Sequence, residues 1–189
     1  MLKGFILGIV VTIVAALVVG YAGITGGFLI PANADAKPSP FERWAASRSL
    51  DATIAREAPT QANPVAATDA NYEAGIKLYA ANCSACHGLP GTRPSSIAIG
   101  LYQHAPQLAR HGVEDDPAGE TFWKIKHGIR LTGMPAFTRT LSDAQIWTLA
   151  LFLKAMDKLP PAPQKLWRSL KMPVALAPSS ALPPPRAGR

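Results

Sequence analysis

The apolar and polar positions of the 189-residue chain divide it into regions of different character. From Gly4 to Ile30 no charged residue interrupts an almost continuous apolar run. Drawn as a helix at ~1.5 Å per residue, it is roughly 40 Å long, more than the ~30 Å hydrocarbon core of a bilayer. Cleavable leaders usually carry only ~7–15 apolar residues, so the run predicts a retained membrane anchor over residues 1–30. The small residues of "ANADA", Ala32 to Ala36, keep a cleaved leader open as the alternative. Residues 31–68 scatter Pro31, Pro38, Pro40, Pro59 and Pro64 among Ala, Ser and Thr and predict a tether. Within it "ERWAASRSLDATIARE" has the makings of a short helix.

Residues 69–159 return to helical periodicity. Thr68 or Asp69 is suited to cap a helix over "TDANYEAGIKLYAAN", in which Gly75 and Tyr79 share a face. Near the other end Ser142 and Gln145 fit a capping box, and Leu141 with Ile146 a hydrophobic staple. Ile146, Leu149, Ala150, Leu153 and Met156 form an apolar stripe at helical spacing, and Pro160 stops the helix. A third short helix, "GETFWKIKH", ends at Gly128. No run alternates apolar and polar residues, so no sheet is expected and the fold class is all-α. After Leu159 come eight prolines in 30 residues, which predict an extended, solvated tail over 160–189.

Charge sharpens this division. The net charge is +7, of which the 160–189 tail supplies +5 through Lys165, Arg168, Lys171, Arg186 and Arg189. The 69–159 segment is close to neutral, so the basic balance is a property of the tail and gives no reason to expect a nucleic-acid partner. Lys3 on the amino-terminal stub favours a cytoplasmic start under the positive-inside rule. The rest of the chain then faces the other side, which in a Gram-negative cell is the periplasm, with the anchor in the inner membrane. That compartment is oxidising.

Three short helices and long loops make a thin apolar core for about 90 residues, so something large and apolar is expected at its centre. The two cysteines of the chain suggest what. They lie in "NCSACHG" as Cys83-Ser84-Ala85-Cys86-His87. Zinc needs about four ligands, and neither a second CxxC nor paired histidines exist. A thioredoxin-like pair needs a strand before it. A plain disulfide leaves His87 without a role. Haem attachment uses all three residues: two thiols for the two vinyl groups, and an imidazole beneath the iron.

"CSACHG" together with "LTGMPAF", residues 131–137, resembles the class I c-type cytochromes, over roughly residues 69–159. The resemblance implies three to five helices around one covalent haem c with its iron. His87 would be one axial ligand, and Met134 the other. Gly133 and Pro135 flank Met134, allowing close approach and stiffening the loop. Met156 sits on a helical stripe and reads as core, and His127 reads as a helix-terminal residue, although it is the rival ligand. "APQL", residues 105–108, is similar to the family's G-P-N-L stretch. That similarity implies that Pro106 accepts the His87 Nδ1–H and that Leu108 packs on the ring, with Pro94 as the alternative acceptor. Gly75 and Tyr79 would meet Leu149 and Phe152, as first and last helices do in the family. Trp123, Lys126 and Arg130 are either near the propionates or a solvated face, and His104 and His111 read as solvent-facing loop residues.

With two axial ligands no iron site is left for substrate, so the expected activity is electron carriage and not an enzyme reaction. The expected role is a membrane-tethered monohaem carrier between a quinol-oxidising donor and a terminal oxidase or similar acceptor. The alternative is a fixed haem subunit of a larger membrane oxidoreductase, docked through residues 160–189. A gas sensor that releases Met134 is the third reading. Trp167 in "LWRSLKM" is expected to find cover on lipid headgroups or on a neighbouring subunit.

Overall fold

The computed structural model describes residues 2–29, 31–110 and 112–173. Among them are eight helices and no strand: α1 (Leu2–Thr25), α2 (Pro40–Glu57), α3 (Asp69–Asn82), α4 (Ser84–His87), α5 (Ser96–Gly100), α6 (Ala118–His127), α7 (Asp143–Lys154) and α8 (Pro161–Ser169). The chain divides into two compact units between Lys37 and Pro38.

The first unit is built on α1, which is long and apolar enough to cross a membrane and has no buried residue. Its 24 residues make a helix of about 36 Å at ~1.5 Å per residue. The hydroxyls of Thr12 and Thr25 donate to the carbonyls of Gly8 and Tyr21, so these polar groups are satisfied within the helix. Gly27, at φ 72°, turns the chain so that the N–H groups of Phe28 and Leu29 reach the Gly23 carbonyl.

The second unit centres on α3 and α7. Thr68 caps α3, and a full capping box of Ser142 and Gln145 starts α7. The two helices meet at Gly75, where a Cβ would lie 2.6 Å from Phe152 Cβ and 2.8 Å from the Thr148 carbonyl. Only glycine permits that approach. Ile76, Tyr79, Ile146, Leu149, Ala150 and Phe152 are fully buried at this contact. The α6 helix joins through Phe122, stacked on Trp147 at 4.2 Å between ring centroids. Met156 lies in the same core.

Two sequence expectations are corrected here. Residues 38–68 are not a loose tether. Pro40 at N1 and a Ser39–Glu42 capping box start α2, which takes in the helix expected over "ERWAASRSLDATIARE", begins two residues before it and buries Ile54. Beyond α2 the Asn63 side chain donates to the Trp147 carbonyl at 2.8 Å, and Gly119 has no side chain because the Pro59 carbonyl occupies the space. The second correction concerns the tail, whose first part is neither extended nor solvated. Pro161 is accepted at the first turn of α8, where an N–H has no helical partner to lose. Trp167 is 5% exposed, edge-on to Tyr79 at 5.2 Å and to Phe152 at 5.1 Å. Its cover is therefore the chain's own core, and neither lipid nor a neighbouring subunit is needed. The expected tail residues 174–189, including Arg186 and Arg189, lie outside the described residues, as does His111.

Candidate functional site

The site is assembled where α3 ends. Cys83 closes that helix, its N–H donating to the Tyr79 carbonyl at 2.8 Å. The single turn of α4 follows, with the N–H groups of Cys86 and His87 both donating to the Cys83 carbonyl. This turn sets two free, half-buried thiols beside a half-buried imidazole. Gly88 ends it at φ 77°, and the Tyr79 hydroxyl donates to the Gly88 carbonyl at 2.9 Å. Burial, with a smaller effect of the Cys86 charge, pushes the Cys83 thiol up to about 12. Burial also raises the Tyr79 phenol, which stays a neutral donor.

The segment 105–108 runs alongside. His87 Nδ1 lies 2.9 Å from the Pro106 carbonyl, so Pro106 and not Pro94 faces the ring. A carbonyl only accepts, so Nδ1 carries the proton and the lone pair resides on Nε2. Burial lowers the His87 pKa from its ordinary value, and the Pro106 bond opposes this more weakly. Leu108 is buried, and its N–H donates to the His87 carbonyl at 3.1 Å. Gln107 ties the two segments together, donating to the carbonyls of Cys86 at 3.0 Å and Ala105 at 3.1 Å. A Cβ at Gly88 would meet Gln107 Oε1 at 2.6 Å.

Met134 arrives from the far side of α6. Gly128, at φ 66°, ends that helix, and a Cβ there would strike the Met134 carbonyl at 2.7 Å. The Ile129 N–H donates to the same carbonyl at 3.2 Å, and the Met134 N–H donates to Thr132 Oγ1 at 3.1 Å. The loop is fastened at its other end by Phe137 N–H to the Ile125 carbonyl and Thr138 N–H to the Lys126 carbonyl. Met134 is half-buried, and it packs with Cys83 and Leu108 against one apolar core. Leu131 at the loop's tip has φ 61°, an uncommon value for a residue with a β-carbon, and is 82% exposed.

Other candidates fall elsewhere. His127 is exposed on the last turn of α6, its ring 5.1 Å from that of Trp123, and His104 is exposed on its loop. Lys126 pairs with Asp143 at 2.8 Å, Arg130 is exposed, and Trp123 is buried rather than solvated. The Trp123 indole nitrogen finds no hydrogen-bond partner. No three His, Cys, Asp or Glu side chains gather into a metal-binding group among the described residues. Sequence reasoning missed Gln107 as a tie, and Ser95, whose hydroxyl donates to the Ala85 carbonyl. Neither carries a signal of its own, because both act on backbone carbonyls that only the fold brings near.

The donor set suits an iron macrocycle: two unpaired thiols on one turn, an imidazole with Nε2 free, and a thioether on the same apolar core. Over residues 70–153 the helical fold and this arrangement are similar to a class I c-type cytochrome domain, a kind of domain that carries covalent haem c with its iron and serves electron transfer. Residues 70–153, a little under half of the chain, match the family model described as cytochrome c oxidase, cbb3-type, subunit III. No solved structure matches the chain.

Proposed function

We propose that the protein is a membrane-tethered monohaem cytochrome that passes single electrons between membrane redox complexes of a respiratory chain. The observation that carries this reading is the 2.9 Å contact of His87 Nδ1 with the Pro106 carbonyl. It orients the ring and leaves Nε2 as a free donor beside two thiols. In this reading Cys83 and Cys86 would hold the haem through thioether links, and His87 and Met134 would ligate its iron. Pro106 holds the imidazole, and Leu108 packs against it.

The haem supplies a one-electron store. The chain's residues decide how it is used. Thioether ligation and apolar surroundings favour the ferrous state, which implies a fairly positive potential. Two protein ligands leave no coordination site for substrate, so the domain relays electrons and is not an enzyme by itself. Tethering through α1 keeps it close to membrane partners, with a quinol-oxidising complex as donor and a terminal oxidase as acceptor. Lys3 before α1 favours a periplasmic domain on an inner-membrane anchor.

A second reading is favoured by the family description, which names an oxidase subunit. The protein would then be a fixed haem-bearing subunit of a membrane oxidoreductase. Purification in mild detergent distinguishes the two. A carrier separates from oxidase activity on size exclusion, whereas a subunit elutes with it at constant ratio. Acid–acetone extraction tests the attachment: haem should stay on the protein, and a colourless precipitate would refute it. Carbon monoxide binding to the resting ferrous protein would point instead to a gas sensor.

A further inference from the structure

The outer face of α2 has no role in the site. At its first turns Phe41 is 73% exposed and Trp44 59% exposed, their ring centroids 5.8 Å apart. They stand three positions apart, so both project from one side of the helix. Outside the anchor, the only other large apolar side chains this open among the described residues are Ile97 and Leu131. The pair is held on a fixed element. The Ser39–Glu42 capping box closes the helix start, and the Glu42 carboxylate accepts from the Tyr102 hydroxyl. Further along, α2 buries Ile54.

Two observations say what covers this pair. The first is the leash. Fourteen residues lie between Thr25, where α1 ends, and Pro40, where α2 begins, and this stretch reaches at most ~54 Å when fully extended. If α1 spans a bilayer, Phe41 and Trp44 always stay within reach of its surface. The second is the local charge. Lys37, Arg43 and Arg48 flank the pair in the sequence, while Glu42, the acid between the two in the sequence, is engaged by Tyr102 and the Ser39 N–H. Exposed Trp and Phe flanked by cations suit the headgroup level, where an aromatic ring meets apolar chains and its cationic neighbours meet anionic phosphates.

We infer that Phe41 and Trp44 insert into the lipid interface and seat the cytochrome domain on the membrane surface. The inference rests on α1 spanning the bilayer. The site is an interfacial lipid contact, and it restricts how far the domain swings from its tether.

The test uses the full haem-loaded chain in vesicles of phosphatidylcholine and phosphatidylglycerol, made once with ordinary and once with brominated acyl chains. The emission difference between wild type and Trp44→Phe isolates Trp44 from the other three tryptophans. Most of that Trp44 emission should be lost in the brominated vesicles. Protein that floats with the vesicles but shows equal Trp44 emission in both lipids would overturn the inference while leaving the anchor intact. Protein that fails to float would overturn the anchor reading and the inference with it. If a Phe41→Ser/Trp44→Ser variant loses a co-purifying protein while wild-type Trp44 is not quenched by bromolipid, the surface belongs to a protein partner and the inference falls.

Discussion

At the scale of single residues the site depends on a few buried polar contacts. Tyr79 is fully buried, and its hydroxyl is satisfied by the Gly88 carbonyl just after the histidine. Tyr79→Phe keeps the ring between Phe152 and Trp167 but orphans that carbonyl, and should destabilise the protein by about 1–3 kcal/mol. A denaturant midpoint unchanged from wild type would show that the bond contributes nothing. For Met134, the proposed sixth ligand, alanine removes the only thioether in the loop clasped by Gly128 and Thr132. The sulfur-to-iron charge-transfer band should vanish and the midpoint potential should fall by a sizeable part of the ~0.8 V range that axial ligands span. An unchanged spectrum would move the ligand elsewhere.

At the scale of elements, the α3–α7 crossing and the docking of α8 decide stability. Gly75→Ala places a methyl group against Phe152 Cβ and the Thr148 carbonyl, neither of which yields easily, and should cost about 1–3 kcal/mol through overpacking. Trp167→Ala leaves a void between Tyr79 and Phe152 and should cost about 3–5 kcal/mol. A chain ending at Leu159 should be destabilised in the same direction. Thermal unfolding of the three variants checks this ordering. These helices also show what the sequence could reveal. The caps of α3 and α7 and the stripe from Ile146 to Met156 follow from local chemistry, and so do the positions of Cys83, Cys86 and His87. The docking of α8 was not legible, because proline spacing resembles that of an extended tail and a lone Trp does not declare its partner. Likewise α2 has a readable start, but the segment just after it is placed by the Pro59 carbonyl meeting a glycine 60 residues later, which no local pattern announces. The Pro106 contact was suggested by a resemblance between four-residue stretches and is not implied by any periodicity.

At the scale of the whole molecule, the division at Lys37 and Pro38 separates two different solvation problems. The apolar surface of α1 has no cover from the protein and suits a bilayer. The second unit has its own caps, its own aromatic core and every residue proposed to hold the haem. Replacing residues 1–37 by a cleavable export leader should therefore release a soluble cytochrome. Its absorption spectrum, one-electron Nernst curve and unfolding midpoint should match those of the full chain in detergent. Only the location and the rate of electron delivery to membrane partners should change, since a tether raises the local concentration of the domain at the membrane. A truncated protein that lost haem, shifted in potential or unfolded earlier would show that the anchor supports the fold itself, and the two units would then have to be treated as one.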